Sequence, residues 1–301
     1  MVAAAHGTGG FMTLAAGRWP AYAGPAAGQR RPGALAVYRM ELSKLSRLIR
    51  VRTIAVLCVI GPFLAVAALH LQSATPGDTA FGQWVHTSGF AIPMVVLGFA
   101  AQWIAPGLSA VVSGDIFSAE DHFCTWKTIL TRSRTRGQLF AGKFLAALTF
   151  AVCLALLLTV TNLLAGLVAG TQPVVGLSGQ LVPAGHASVL VVLSYLAGIP
   201  PLLGFTALAV MLSVVSRSSV VGIGGVIVIT FVLQVVTLLS LPAWVQLALL
   251  STPFQAWHGF WTQPAFYGEF GWGLVTCAAW FAVCSAVAWL VFRHRTIGGA
   301  S

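Results

Sequence analysis

Six stretches of the chain run for about 20 residues each with hardly an ionisable group, the length that crosses roughly 30 Å of hydrocarbon at 1.5 Å per helical residue. They are Thr53–Gln72, Phe90–Ser113, Gly142–Gly170, Ala187–Ser213, Ser219–Leu241 and Trp272–Phe292. Leu, Val, Ala, Ile and Phe dominate each of them, and none alternates apolar with polar residues as a barrel strand would. In lipid every backbone polar group must find its partner inside the protein, so runs of this kind form helices. Composition agrees: 58% of the residues are hydrophobic and only 7% are Asp, Glu, Lys or Arg, against about 25% charged in a soluble domain. The expected fold class is an all-α integral membrane protein with six transmembrane helices.

The basic residues orient it. Of the 16 Lys and Arg, 15 fall before the first span, between the second and third, between the fourth and fifth, or after the sixth, and Lys143 stands at the start of the third, on the same side. The three remaining loops, Ser73–Gly89, Thr171–His186 and Pro242–Gly271, carry only Asp78 and Glu269. Under the positive-inside rule both termini are cytoplasmic. The net charge of +10 is therefore a topology signal, and no nucleic-acid partner is needed to explain it. Cys58, Cys153, Cys277 and Cys284 lie within spans and Cys124 lies in a cytoplasmic loop, so no disulfide is expected. Their spacing suits no zinc site.

Four pieces make up the expected chain: a flexible Ala- and Gly-rich tail over 1–36, an amphipathic helix over 37–52, the six-span domain over 53–295, and a short tail over 296–301. The first tail lacks the charged start and apolar run of a signal peptide, and Met40 is an alternative start of translation. In the helix, Tyr38, Leu42, Leu45 and Ile49 form an apolar stripe, with Lys44, Arg47, Arg50 and Arg52 mostly off it. Such a helix lies in the cytoplasmic headgroup boundary, with its cations on anionic lipid. On the outer side, Trp244 to Trp272 is rich in Trp, Phe and Tyr and broken by Pro253 and Pro264. It is too apolar for a free loop and too broken for a span, which predicts a re-entrant or interfacial segment between spans five and six.

Few polar side chains lie inside the spans. Gln102, Asn162, Tyr195, Thr206, Thr230 and Gln234 are candidates for lining a pathway, with interhelical hydrogen bonding as the plainer role. No Asp, Glu, Lys or Arg lies within a hydrocarbon core, so an ion-coupled mechanism has no ionisable groups to use. Two motifs mislead. GQLFAGKF (Gly137–Phe144) nearly matches a phosphate-binding loop, but Phe144 stands where the magnesium-holding hydroxyl belongs and no strand precedes it. GLSG (Gly176–Gly179) resembles an intramembrane serine-protease motif, but Ser178 sits in an outer loop with no base in a span to serve it. Catalysis by this chain, metal ligation and a resident cofactor are not expected.

Charge concentrates between spans two and three, where Asp115, Glu120 and Asp121 are followed by Lys127, Arg132, Arg134, Arg136 and Lys143. Ile116–Leu130 reads as helical, with Ile116, Phe123, Trp126, Ile129 and Leu130 on a loose apolar face. Its acids precede its Lys, the order a helix dipole favours. A cytoplasmic amphipathic helix on rigid stalks suits docking into a groove on a soluble partner.

Here the sequence resembles type-2 ABC permeases, the six-span membrane subunits of ABC exporters. Glu120, Thr125, Leu130, Thr131, Arg134 or Arg136, Gly142 and Lys143 carry the resemblance, and the topology over about 37–295 supports it; Cys124 stands where the family usually has Gly. The resemblance implies a permease without its own ATPase, dimerised with a second copy or a homologous permease. A separate ATP-binding subunit would bind ATP and magnesium and dock on the 114–143 loop. It gives Glu120, Asp121, Thr125, Trp126, Lys127, Arg132, Arg134 and Arg136 the role of coupling residues. The cargo would be a lipid, a hydrophobic drug or a peptide. A different class of function, a membrane-resident binding or immunity protein that sequesters a peptide or lipid without ATP, stays open. The Ala-, Gly- and Trp-rich usage fits a high-GC bacterium, hence a bacterial plasma membrane.

Overall fold

The structure, a computed structural model, describes residues 33–72, 76–77, 79–122, 135–237, 239 and 242–295. Most of the 1–36 tail, the 296–301 tail and residues 123–134, with Cys124, Thr125, Trp126, Lys127, Arg132 and Arg134, lie outside the described residues. Six helical runs are long and apolar enough to cross a membrane: Ile49–Leu71, Ala91–His122, Arg136–Ala169, Ala184–Ser216, Ser219–Thr237 and Gly268–His294. Each matches a run read from the sequence, and the fold is an all-α membrane protein.

The breaks inside these runs have local causes. Helix α1 (Ala34–Arg47) ends at Leu48, whose ψ of 129° is extended, and α2 (Ile49–Leu71) restarts as the first span. The second span consists of α3 (Ala91–Phe99), a π-helical turn over Ala100–Ile104, α4 (Ala105–Ser113) and, beyond a turn, α5 (Ser118–His122). The third span, α6 (Arg136–Ala169), starts at a reciprocal capping box: the Gln138 amide N–H donates to Thr135 Oγ1 at 3.3 Å, and the Thr135 N–H donates to Gln138 Oε1 at 3.2 Å. The fourth is split at Gly198, followed by Pro200 and Pro201, into α7 (Ala184–Ala197) and α8 (Ile199–Ser216), because proline lacks the N–H that a continuous helix needs. Helix α9 (Ser219–Thr237) forms the fifth span and α11 (Gly268–His294) the sixth. Between them the aromatic stretch folds into two short helices, α10 (Ala243–Ala248) and a 3-10 helix over Thr252–Trp261. Before α7 a small hairpin pairs Val174 with Val182 and Val175 with Leu181.

Apolar residues fill two main cores. The larger lies toward the end opposite the chain's charged residues and includes Phe81, Phe90, Phe205, Phe254, Trp257 and Trp261. The smaller lies toward the charged end, where Phe117, Phe140 and Phe292 meet with centroids 5.5–5.7 Å apart. The 3-10 helix is keyed to its surroundings by Trp261: its Nε1 donates to Ser194 Oγ at 3.0 Å and its carbonyl accepts from the Leu177 amide and Gln180 Nε2, both at 2.9 Å. Ser178 lies in the hairpin turn, its Oγ accepting from the Gln263 amide at 2.8 Å.

Lipid tails are as apolar as leucine, so spans associate through close packing rather than hydrophobic burial. Glycine permits that closeness at several places, two of them toward the charged end. A Cβ on Gly114 would lie 2.5 Å from the backbone carbon of Gly222, so the end of α4 and the start of α9 touch backbone to backbone. A Cβ on Gly142 would lie 2.6 Å from Val37, so α1 lies directly on α6. Gly222→Val is therefore expected to cost about 1–3 kcal/mol of overpacking strain. It should lower the melting temperature in detergent, whereas Gly224→Val, with open space around it, should not.

Candidate functional site at the charged end

Helix α1 buries Val37, Glu41 and Leu45, a stripe at i, i+4, i+8 whose centre is a carboxylate. This differs from the Tyr38, Leu42, Leu45, Ile49 stripe: Tyr38 and Leu42 are half-buried, and Ile49 lies past the break at Leu48 and is 77% exposed. The reason is Lys143. It sits in the second turn of α6, is fully buried, and faces α1 across the Gly142–Val37 contact. Its ammonium reaches Glu41 Oε1 at 2.9 Å, Glu120 Oε1 at 3.1 Å and the Ile116 carbonyl at 3.1 Å. An ammonium has three N–H donors, and here all three are used. Lys44 adds a second cation to Glu120 at 2.8 Å. Two carboxylates and two ammonium groups thus balance in charge.

Burial alone would lower the pKa of Lys44, but the Glu120 hydrogen bond and the charges of Glu41, Glu120 and Asp115 outweigh it and raise the pKa above its ordinary 10.5. A raised folded-state value means that this contribution is complete below pH 10.5 and fades only above it, so the Lys44 contact does not titrate near neutrality.

The neighbouring acids are bound in the same manner. Asp115 pairs with Arg50 of α2 and accepts from Ser219 Oγ at the start of α9. Asp121 pairs with Arg295, just past α11, at 2.6 Å. Ser118 opens α5 with its amide on Ser213 Oγ of α8 at 3.2 Å and its hydroxyl 2.8 Å from that of Ser219. The Arg136 guanidinium donates through Nη1 to the carbonyls of Arg293 and Arg295, both at 2.8 Å, satisfying acceptors that the end of α11 leaves open. The short acidic segment leading into residues 123–134 is thereby tied to α1, α2, α6, α8, α9 and the end of α11.

Of the residues expected to couple to a partner, Glu120 is 5% exposed and sits inside this cluster, Asp121 is half-buried on Arg295, and Arg136 caps the last span. The others belong to residues 123–134. Sequence reasoning missed Glu41, Asp115, Arg50 and Arg295 as members of the site and assigned Lys143 no partner. One signal was available: Glu41 falls four residues after Val37 and four before Leu45, in register with a buried stripe. The near phosphate-loop motif lies within α6, and its Lys143 donors are occupied by the chain itself.

The six polar span residues do not share one site. Asn162 Nδ2 donates to the Leu158 carbonyl at 2.8 Å, and the Tyr195 hydroxyl to the Pro93 carbonyl at 2.8 Å. Thr206 Oγ1 lies 2.8 Å from Ser109 Oγ and donates to the Leu202 carbonyl. Thr230 is buried, and its hydroxyl has no partner among the described residues. Gln102 and Gln234 come together, Gln234 Nε2 donating to the Gln102 carbonyl at 3.4 Å, and both line a cavity at the far end. Among the described residues no group of three or more His, Cys, Asp or Glu side chains could hold a metal ion.

Six apolar spans with most of the charge gathered at one end define a multi-pass membrane protein. Residues 37–237 match the family model described as ABC-2 family transporter protein, and the chain belongs to that family, as a permease component of an ABC transporter. The match ends at the last residue of α9, so α10, the 3-10 helix and α11 lie beyond it. Comparison with curated proteins finds no match.

Removing one partner from a buried ion pair leaves an uncompensated charge and costs about 3–5 kcal/mol. Lys143→Met is expected to destabilise the chain by that much. Adding Glu41→Gln and Glu120→Gln to it should recover a large part of the loss, because all three buried charges then disappear together. A double-mutant cycle of thermal unfolding in detergent checks this, and simple additivity would contradict the cluster.

Proposed function

We propose that the chain is the permease of an ATP-driven exporter in a bacterial plasma membrane, with both termini cytoplasmic. A separate ATP-binding subunit docks on residues 123–134 and supplies ATP and magnesium. The cargo is apolar or amphiphilic, a lipid, a hydrophobic drug or a peptide. One observation carries this reading: the acidic segment entering 123–134 is braced by ion pairs or hydrogen bonds to six other elements, so a force applied to that loop acts on most of the bundle. A loop that only joined two spans would gain nothing from such bracing. The cations at this end also agree with a cytoplasmic placement under the positive-inside rule.

In this reading the coupling residues divide by task. Trp126, Lys127, Arg132 and Arg134, with Thr125, form the contact surface on the ATPase. Glu120, Asp121 and Arg136 are positioning residues, since their charges are already engaged within the chain. The permease works with a second copy or a homologous permease, as type-2 ABC permeases do.

Co-purification tests the assembly. The tagged chain, extracted from its native host in mild detergent, should retain a stoichiometric protein that carries a phosphate-binding loop. Trp126→Ala combined with Arg132→Glu and Arg134→Glu should reduce that protein about tenfold or more, the loss expected when a few central contact residues carry most of an interface. The melting temperature of the chain itself should hold. Retention at wild-type levels in this triple variant would sink the docking assignment, and a chain that reproducibly emerges alone would favour ATP-independent sequestration.

A further inference from the structure

Beside the Gln102–Gln234 cavity, and sharing Thr237 and Gln255 with it, a second cavity of about 370 Å³ lies between the end of α9, α10, the 3-10 helix and the first turns of α11. Its volume falls within the range of pockets that take small ligands, roughly 300–1,000 Å³. All of its lining except Thr237 lies beyond the stretch that matches the family. Side chains fasten α10 over it. The last carbonyls of a helix have no partner within the helix, and here those of Gln246, Leu247 and Ala248 accept from Thr252 Oγ1 at 2.6 Å, Thr276 Oγ1 at 2.6 Å and Trp280 Nε1 at 3.0 Å. Helix α10 buries none of its own residues, and its Trp244 is 74% exposed, the placement of an interfacial aromatic.

Two properties of the lining select a ligand, and the first is charge. Glu269, in the first turn of α11, lines the cavity and forms no ion pair among the described residues. The loops at this end contain no Lys or Arg. His258 adds no cation near neutrality, because burial lowers its pKa from 6.5 against the opposing pull of the Gln255 carbonyl and Glu269. The second property is the balance of donors and acceptors. The Thr237 hydroxyl donates its proton to the Gln234 carbonyl at 2.6 Å, and Thr252 donates its own to Gln246, so both offer a guest only lone pairs. A carboxylate accepts and never donates, and the carboxamides of Gln246 and Gln255 add carbonyl oxygens. Such a lining suits a cation that only donates. Calcium is a poor match, since it takes roughly six to eight oxygens with several carboxylates among them, and a quaternary ammonium would find no aromatic ring in the lining.

We propose that this cavity binds a primary ammonium group, whose N–H bonds are shared among Glu269, the two threonine hydroxyls and the glutamine carbonyls. Two sources carry such a group: the head of an aminophospholipid in the leaflet at that end, and a soluble amine. The site is separate from any cargo pathway and does not rest on the permease reading.

The test uses the full chain purified in mild detergent, with native mass spectrometry of its first lipid adduct. The probes are dioleoyl phosphatidylethanolamine and dioleoyl phosphatidylcholine, which differ only in the methyl groups on nitrogen; ethanolamine, titrated by calorimetry in the same detergent, stands for the free amine. Phosphatidylethanolamine is expected to bind about fivefold tighter than phosphatidylcholine, the worth of one well-placed ion pair near the surface. Glu269→Gln, a change at an exposed position, should bring the two lipids to within about twofold of each other and leave the melting temperature unchanged. Asp78→Asn, at the other acid of these loops, should leave the preference intact. Glu269-dependent binding of ethanolamine without a preference between the lipids would assign the site to a soluble amine. Absence of both the lipid preference and ethanolamine binding, a preference that survives Glu269→Gln, or one lost equally in Asp78→Asn would each overturn the proposal.

Discussion

A single buried ammonium group sets the geometry of the charged end. Taking Lys143, Glu41 and Glu120 out of water costs several kcal/mol per ion, and such clusters commonly do no more than break even against an apolar replacement. The cluster is therefore a poor source of stability and a strong source of geometry. Lys143 can be buried only if α1 brings Glu41, the turn before α5 brings the Ile116 carbonyl, and α5 brings Glu120. If any one of the three elements leaves, a charge or a donor is stranded. An apolar seam could slide by a fraction of a turn at little cost; this one cannot. The aromatic trio of Phe117, Phe140 and Phe292 beneath it excludes water and keeps that penalty high.

The same logic explains why the spans need so few polar residues. With lipid as solvent, helix–helix contact depends on how closely backbones approach. Gly142 lets α1 close on α6 so that the carboxylate of Glu41 reaches Lys143, and Gly114 and Gly222 let α4 meet α9. Small residues and the ion cluster are thus two halves of one device, in which glycine brings elements within range and charge fixes their register.

The spans were legible because their signal is additive over some twenty residues and no tertiary contact can cancel it. The break at Gly198 was written in Ile199-Pro200-Pro201, yet hydropathy alone runs straight across it. The helix before span one was legible as a helix but not in its facing. Amphipathicity assumes that charge points away from the buried side, and Glu41 breaks that assumption because its partner lies about a hundred residues away, on α6. The same limit applied to Glu120, whose local pattern suits an exposed coupling helix and whose actual neighbour is Lys143. Pathway residues were the least legible, since Asn and Thr in a span satisfy themselves on carbonyls one turn back, and Tyr and Gln on the carbonyls of a neighbouring span, as readily as they line a cavity. Only Gln102 and Gln234 come together at one, and nothing in their sequence neighbourhoods sets them apart from Asn162 or Thr206.

Spans two and five connect the two ends. They touch backbone to backbone at Gly114 and Gly222, beside Asp115 and Ser219, and they flank the cavity through Gln102 and Gln234. From Gly222 to Gln234 is twelve residues, about 18 Å of helix at 1.5 Å per residue. Helices of that length behave as rigid rods, and side chains packed at near-crystalline density switch between discrete arrangements rather than deforming smoothly. The Asp115–Glu120 segment is joined to α9 both through Ser219 and through the glycine contact. The π-helical turn of span two lies at the cavity end, where the hydrogen-bond register of the helix is altered. In the permease family to which the chain belongs, the acidic segment, the ion cluster and the glycine crossing thus form one braced unit, from which spans two and five run to the Gln102–Gln234 contact.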